Sequence, residues 1–267
     1  MKMITSAHNG QLKHLAKLLG SARARRESGQ TVLEGIHLLK TYLETGRQPL
    51  QVYLPEKQAQ HTELQAAIAA LPEERLTLIA DGALSKITSL TEAEEVMTLI
   101  EIPAETPPPQ EGDCVLLERV QDPGNVGTII RSAAAAGIRK LLLTQDCADI
   151  WSPKVLRAGM GAHFLLDIST RVPAREWAAA YRHPVYATAL SAQRNSGLYE
   201  LDLRAPAAWI FGNEGSGVSA ETLAAADCAV KIPMLGQTES LNVAMAATVC
   251  LFEQMRQRLP LAHPANP

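Results

Sequence analysis

The sequence predicts an α/β protein with two α/β domains. Strand-like apolar segments alternate with helix-like segments along the chain, which is typical of sheets covered by helices. Between residues 102 and 112 this alternation is interrupted by four prolines. Because proline disfavours helix interiors and central strands, we predict a linker at residues 103–112, with one domain at residues 1–102 and a second at residues 113–267.

The composition is that of a globular protein. Of the 267 residues, 46% are hydrophobic and 20% are charged. Only 4% are aromatic, so a nucleic-acid interface would not rest mainly on stacked rings. No apolar stretch approaches membrane-spanning length, and residues 1–19 lack the apolar core of a signal peptide. Four scattered cysteines without a close ligand pair predict a cytoplasmic protein with no structural metal.

Positive charge is concentrated at the N-terminal end of a chain whose net charge is −3. Residues 1–30 contain six lysines and arginines against one acidic residue. Such a segment attracts a phosphate backbone, although a run of this kind is more often a solvated helix face. The candidate RNA-binding residues are Lys13, Lys17, Arg23, Arg25 and Arg26.

The first half of the chain reads as a small α/β domain. Leu12, Leu15, Leu18 and Leu19 lie at helical spacing on one face, ahead of the arginines. Apolar runs predict strands at residues 31–35, 51–54, 76–79 and 96–102. Helices are predicted between them at residues 36–45, 62–71 and 82–89, the last one capped by Asp81.

The second half alternates more regularly and predicts a parallel sheet. Strands are expected at residues 114–117, 140–144, 164–168, 185–190, 208–211 and 229–232. Helices are expected at residues 125–136, 153–159, 173–181 and 241–258, with Gly137 ending the first of them. Ligands of such sheets bind in loops at the carboxyl ends of the strands, and three of these loops carry unusual residues.

The first of these loops, residues 118–131, joins a strand to a helix. Asp122, Pro123 and Gly124 form a turn, Asn125 stands near the helix N-terminus, and Arg131 follows nearly two helical turns later. An ordinary capped helix with a surface arginine would explain the same residues.

The second loop, residues 211–219, places three glycines around the carboxylate of Glu214. Glycines allow the backbone to approach a ligand closely. The spacing resembles a phosphate-binding loop, but Val218 occupies the position of its essential lysine, which argues against nucleotide hydrolysis. A dinucleotide fingerprint is also a poor match, since it belongs in the first strand–helix–strand unit.

The third loop, residues 232–246, leads from a strand into the last helix. Ser240 is a plausible N-cap, which would place the amide of Asn242 in the first helical turn. A purely structural helix start is the alternative.

Taken together, the three loops resemble one family. LERVQDPGNVGTIIRSAAAAG, IFGNEGSGVS and IPMLGQTESLNVAMA, in this order, closely resemble the three motifs of the SpoU (TrmH) family of RNA 2′-O-ribose methyltransferases in the SPOUT superfamily. The similarity covers residues 114–256, and no motif position departs from the pattern. Residues 4–6, 13–19, 23–26 and 33–35 resemble the family's substrate-binding domain.

This resemblance implies a fold and a set of partners. The catalytic domain is expected to be a SPOUT α/β fold with a trefoil knot, preceded by a ribosomal-protein-like α/β domain. The expected cofactor is S-adenosyl-L-methionine, and the expected partner is RNA, with rRNA favoured over tRNA. A homodimer is expected, with each active site completed by both subunits.

The resemblance also assigns site residues. The expected catalytic residues are Asn125, Arg131, Glu214, Ser240 and Asn242. The expected cofactor-binding residues are Thr188, Ala189, Leu190, Gly212, Asn213, Glu214, Gly217, Ile232, Met234, Leu241 and Ala246.

Arg131 matches the family's catalytic arginine. Since a guanidinium is not readily deprotonated, we expect it to stabilise the forming alkoxide rather than to act as a base. Two other functions remain open at this point. One is an RNA-binding or ribosome-assembly factor that keeps the fold without catalysis, and the other is a nucleotide-dependent enzyme using residues 212–217.

Overall fold

A computed structural model describes residues 2–80, 83, 95–190 and 195–259, so the helix predicted at residues 82–89 lies outside the described residues apart from Ala83. The strands and helices, in chain order, are β1 (Lys2–Ile4), α1 (Gly10–Gly20), α2 (Ala22–Ser28), β2 (Gln30–Glu34), α3 (Ile36–Glu44), β3 (Gln51–Pro55), α4 (Thr62–Ile68), β4 (Leu76–Ile79), β5 (Met97–Glu101), β6 (Cys114–Leu117), α5 (Pro123–Ala135), β7 (Lys140–Leu143), α6 (Pro153–Ala158), β8 (Asp167–Ser169), α7 (Ala174–Ala180), β9 (Val185–Thr188), β10 (Asn195–Gly197), β11 (Ala208–Phe211), α8 (Ala220–Ala225), β12 (Cys228–Lys231) and α9 (Val243–Arg258).

The contacts divide the chain into two compact units. The first consists of Met1–Ala104 together with Asp149–Leu165, and the second consists of Glu105–Ala148 together with Leu166–Pro267. The segment 149–165, which the sequence analysis assigned to the second domain, therefore packs with the first unit. Its carboxylate at Asp149 pairs with Arg25, and its Arg157 pairs with the buried Glu34.

The first unit is built on a five-stranded sheet. The strand order is β1-β4-β3-β5-β2, with β5 antiparallel to both β2 and β3. Two apolar clusters fill the unit: one contains Leu12, Leu15 and Leu18 of α1, and the other contains Leu39 of α3 and Leu64 of α4. The predicted leucine face of α1 is thus its buried face.

The second unit is a seven-stranded sheet in which every paired strand is parallel. The strand order is β10-β12-β9-β11-β6-β7-β8. Strands β6 and β11 lie near the centre and are buried at every residue, as expected for strands covered on both faces. The α/β fold with a parallel sheet, predicted from the alternation, is confirmed.

One prediction for the second half is wrong. A strand was expected at residues 164–168, but Ala162–Leu165 form a 3-10 turn and the strand is Asp167–Ser169. The reason is packing: Phe164 stacks edge-on against Tyr42 with ring centroids 5.0 Å apart, so this apolar residue belongs to the core of the first unit.

The topology determines which loops meet. β6 pairs with β11 so that Leu117 lies beside Phe211, and both strands point the same way. The loop after β6 and the glycine-rich loop after β11 therefore leave the same edge of the sheet side by side. Among the described residues, no helix is long and apolar enough to cross a membrane.

Candidate active site

Glu214 joins the first two motif loops. Its carboxylate accepts hydrogen bonds from the backbone N–H of Asp122 at 3.0 Å and of Gln121 at 3.2 Å. It also accepts one from the side-chain amide of Asn125 at 3.0 Å. These donors come from the turn that starts α5, whose N-cap is Asp122. A single carboxylate thus fixes the turn after β6 to the loop after β11.

The same contacts keep Glu214 ionised. Burial opposes ionisation of the carboxyl group, but the hydrogen bonds from Asn125 and from the backbone of Asp122 and Gln121 outweigh it and hold the pKa of Glu214 below its usual range. At neutral pH the group is therefore an acceptor only, which suits a holding role and not proton donation.

Asn242 connects the third motif loop to the first. Its side-chain amide donates to the Oδ1 of Asn125 at 2.9 Å, while its own Oδ1 accepts from the backbone N–H of Ala244 and Met245. Asn242 is therefore the N-cap of α9, which corrects the prediction that Ser240 fills this position. Ser240 lies two residues earlier, exposed in the loop. A chain of amides from Asn242 through Asn125 to Glu214 connects all three motifs.

The glycine-rich loop is a tight reversal. Asn213 and Gly217 exchange backbone hydrogen bonds of 3.1 and 2.8 Å. Gly212 lies against this closure: a Cβ there would come within 2.1 Å of the backbone of Gly217 and Val218. The side chain of Asn213 accepts hydrogen bonds from the N–H groups of Gly215 and Ser216, so the loop is held from inside.

Glu118 anchors the far end of this loop and was not singled out in the sequence. It is 6% exposed, and its carboxylate accepts from the N–H and hydroxyl of Ser219 and from the hydroxyl of Thr222, all within 2.8 Å. Its position directly after a fully apolar strand was the available signal, because an acid there must find buried partners.

A cavity of about 380 Å³ opens beside these contacts, at the carboxyl ends of β9, β11 and β12. All eleven residues expected to bind the cofactor line it, and so does Ser240. The further lining residues, which were not predicted to bind the cofactor, are Gly215, Ser216, Val218, Leu223, Val230 and Val243. Asn125 and Asn242 do not line the cavity, but they hold Glu214, which does.

Arg131 stands apart from this cavity. It is exposed on α5, does not line the cavity, and makes no hydrogen bond or ion pair with any described residue. The next residue, Ser132, shares a hydrogen bond of 2.7 Å with Thr248 of α9. Helix α5 therefore contacts α9 at the residue that follows Arg131.

The five predicted RNA-binding residues fall into two groups. Lys13 and Lys17 are exposed on α1, and Arg23 and Arg26 are exposed on α2, where Arg23 pairs with Glu27 at 2.6 Å on the surface. Arg25 is only 4% exposed, pairs with Asp149 at 2.6 Å and donates to the carbonyl of Leu18. This corrects the prediction for Arg25, because an enclosed guanidinium already neutralised by a carboxylate is not available to a phosphate.

A parallel sheet with a cavity at its carboxyl edge, beside which three motif-bearing loops are joined by hydrogen bonds, defines the class of protein, an α/β methyltransferase of the SpoU type. The family model described as the SpoU rRNA Methylase family matches residues 113–252. That match spans more than half of the chain. The chain belongs to this family.

Relatives match along nearly the whole chain. An uncharacterized tRNA/rRNA methyltransferase of Synechocystis is 35% identical, over 98% of this chain and 96% of its own. A 23S rRNA (guanosine(2553)-2′-O)-methyltransferase of Bacillus subtilis is 31% identical, over 94% and 98%. The crystal structure of an AdoMet-bound rRNA methyltransferase from Sinorhizobium meliloti superposes with a TM-score of 0.81 at 30% identity, over 97% and 99%. The first unit is thus part of the similarity.

Proposed function

We propose that this protein transfers a methyl group from S-adenosyl-L-methionine to a ribose 2′-hydroxyl of structured RNA, with rRNA favoured over tRNA. The observation that carries the proposal is the chain of side-chain hydrogen bonds from Asn242 through Asn125 to Glu214, which joins the three motif loops beside one cavity. The Bacillus subtilis relative is a 2′-O-methyltransferase of 23S rRNA, and the Sinorhizobium meliloti structure contains AdoMet.

The cavity fits such a cofactor in size and chemistry. Its volume of about 380 Å³ lies in the range of small-molecule sites. Leu190 and Leu241 are 56% and 41% exposed, which is unusual for large apolar side chains and suits a slot for a flat purine. Backbone groups of Gly212 and Gly217 provide polar contacts without bulk. The eleven lining residues are the proposed cofactor-binding set.

Within this proposal, the cofactor supplies an already activated methyl group, so the protein has to align the acceptor and stabilise its charge. A 2′-hydroxyl is a weak nucleophile until its proton leaves. The guanidinium of Arg131 stabilises the oxygen as negative charge develops on it. Ser240, exposed at the cavity, positions the ribose. Asn125, Glu214 and Asn242 hold the three loops in their relative positions.

We also propose that the protein is a homodimer through α9. Met245, Phe252 and Leu259 are 48%, 38% and 55% exposed and lie seven residues apart, so they form one apolar stripe along this helix and its end. A surface stripe of this kind is stabilised when a second copy covers it. Arg131, which does not line the cavity of its own chain, would then serve the cavity of the partner.

Residues 1–102, which lie within the first unit, are the proposed RNA-recognition domain. Lys13 and Lys17 are four residues apart on one exposed face of α1, and Arg23 and Arg26 extend the charge onto α2. Contacts to the sugar–phosphate backbone through such residues would hold RNA without selecting a base. The ribosomal-protein-like character of this domain, the trefoil knot of the second and a cytoplasmic location belong to the same proposal and rest on the family.

The test has two steps. Titration calorimetry with S-adenosyl-L-methionine, with ATP as the control ligand, should show binding of the first compound only. Tritium transfer to unmodified 23S rRNA and to tRNA transcripts should then label a ribose 2′-oxygen, with more label on rRNA. RNA binding without cofactor binding or transfer would instead support the non-catalytic assembly factor.

A further inference from the structure

Two arginines of the second unit have an uncommon backbone conformation. In the described part of the chain, the non-glycine residues with positive φ are Arg119 at 57°, Arg171 at 56° and Met160 at 50°. Residues other than glycine, asparagine and aspartate rarely adopt this left-handed region, because their Cβ crowds the backbone. Arg119 and Arg171, which both follow strands of one sheet, thus share a strained backbone conformation.

The two arginines occupy equivalent places in the sheet. Arg119 is the second residue after β6, and Arg171 is the second residue after β8. Strand β7 lies between these strands and pairs in parallel with both. The two residues therefore bracket the end of β7 at the carboxyl edge of the sheet, the same edge at which the cavity opens.

The backbone at both places is held by bonds that need no arginine. The N–H of Arg119 donates to the hydroxyl of Thr144 at 2.9 Å, and its carbonyl accepts from Asn213 at 2.8 Å. Beside Arg171, the N–H of Val172 donates to the carbonyl of Leu143 at 3.0 Å. Glycine would make the same bonds at less strain. The turn geometry therefore does not explain why arginine stands at these positions.

The two arginine side chains differ in exposure. Arg171 is exposed, and Arg119 is partly buried with its Nε enclosed and without a hydrogen-bond partner. Neither guanidinium makes an ion pair with a described residue. At the other edge of the unit, Arg182, Arg204 and Arg258 are paired with carboxylates, whereas the exposed Arg139 has no ion pair with a described residue.

Arg119 is also tied to the active site. Asn213, which accepts from the glycine-rich loop and lines the cavity, donates to the carbonyl of Arg119. Two residues further on, Gln121 and Asp122 donate to Glu214. The first arginine is therefore at the rim of the proposed site, and the second lies two strands away, about 10 Å at the usual strand spacing.

We propose that Arg119 and Arg171 bind the phosphates of the RNA strand that flanks the methylated nucleotide. A guanidinium fork matches the geometry of a phosphate and remains charged at every relevant pH. Because few aromatic residues are available for stacking, binding of an RNA strand at this edge depends on charge. This inference rests on the proposed function, because it gives that site a second set of RNA contacts beyond α1 and α2.

The test uses the full chain with Arg119→Gly, Arg171→Gly and the double variant, since glycine accepts the left-handed backbone. The matched control is Arg139→Ala. Arg139 is exposed, has no ion pair with a described residue, and lies directly before β7 at the opposite edge of the sheet. Melting temperatures of all variants should stay within about 3 °C of the wild type. Calorimetric affinity for S-adenosyl-L-methionine should also be unchanged.

Each glycine variant should raise the KM for an unmodified 23S rRNA transcript about tenfold, and the double variant about 100-fold, while Arg139→Ala leaves it unchanged. The salt dependence of log kcat/KM should become shallower by roughly 0.8 for each arginine removed, and Arg119→Lys should restore part of the affinity. If the wild type transfers methyl groups and the double variant keeps a normal KM and salt dependence, this inference is overturned and the proposed function stands. Absence of transfer by the wild type overturns both.

Discussion

The side-chain amide of Asn242 donates to the Oδ1 of Asn125 at 2.9 Å, although 117 residues separate them in the chain. Asn242 has a second task, because its own Oδ1 accepts from the first N–H groups of α9. Asn242 therefore holds both the start of the last helix and the first turn of α5. Its two tasks can be separated by substitution.

Asn242→Asp keeps an acceptor for the helix N-terminus but loses the amide donor to Asn125. We expect the melting temperature to remain close to that of the wild type, while kcat falls about 100-fold because the loops lose their register. Asn242→Ala should lose both, with about 1 kcal/mol less stability. Thermal melts and single-turnover methyl transfer measure the two effects. Equal activity of the wild type and the aspartate variant would remove Asn242 from the positioning network.

Arg131→Ala tests the proposed stabilisation of the alkoxide. Since Arg131 is exposed, has no partner among the described residues and does not line the cavity, we expect normal folding and normal cofactor affinity. kcat should fall by about 100- to 1,000-fold, as for the loss of one donor to a developing oxyanion. The measurement is turnover at saturating RNA, beside calorimetry with S-adenosyl-L-methionine. Turnover near that of the wild type would contradict the role.

Asn242 and Ser240 show what the sequence could predict about the site and what it could not. The resemblance to the SpoU family implied that Asn125, Glu214 and Asn242 belong to one site, but local capping rules favoured Ser240 as the N-cap. The side chain of Asn242 took that position because it also bonds to Asn125, a contact between distant parts of the chain. Local rules contain no information about such a partner.

The same limit explains the other differences. Strands 114–117 and 208–211 have the predicted bounds, because continuous apolar runs between turn residues are a strong local signal. β1 and β10 have three residues each and were not predicted, since so short a strand is defined by its neighbours. The buried place of Arg25 depends on Asp149, which is 124 residues away.

Gly212→Ala should impair the cofactor site. The new Cβ would meet the backbone of Gly217 and Val218 at 2.1 Å, and backbone atoms cannot move aside as a flexible side chain can. We expect the loop to open, with about 1–3 kcal/mol lost from stability and at least a tenfold loss of cofactor affinity. Gly236→Ala is the control, because its Cβ would meet nothing within 4 Å. Calorimetry that gives the two variants the same affinity would exclude a role of the tight reversal in binding.

Lys13 and Lys17 should contribute to RNA binding, whereas Arg25 should contribute to the fold. Replacing both lysines by alanine is expected to leave the melting temperature unchanged and to make the salt dependence of RNA affinity shallower by about 1.5. Arg25→Ala leaves Asp149 without its partner and should destabilise the first unit by about 3 kcal/mol. Filter binding across a salt series and chemical denaturation distinguish these outcomes. A change in salt dependence for Arg25→Ala at unchanged stability would reverse the assignment.

His163 should make the stability of the first unit depend on pH. Burial lowers its pKa from 6.5 to about 4, partly offset by a hydrogen bond to the carbonyl of Ile150. The folded state therefore favours the neutral ring, and the unfolded chain takes up a proton between these two pH values. The resulting stability is fully present above pH 6.5 and is lost as the pH falls towards 4, by about 3 kcal/mol in total.

His163→Gln removes this titration and keeps a donor for the carbonyl of Ile150. Urea denaturation at pH 7, 6 and 5 should therefore show a smaller loss of stability on acidification in this variant than in the wild type. His8→Gln, which replaces an exposed histidine of the same unit, should follow the wild type. Parallel pH profiles for all three proteins would mean that His163 is protonated equally in the folded and unfolded chains, and that its burial does not control the acid response.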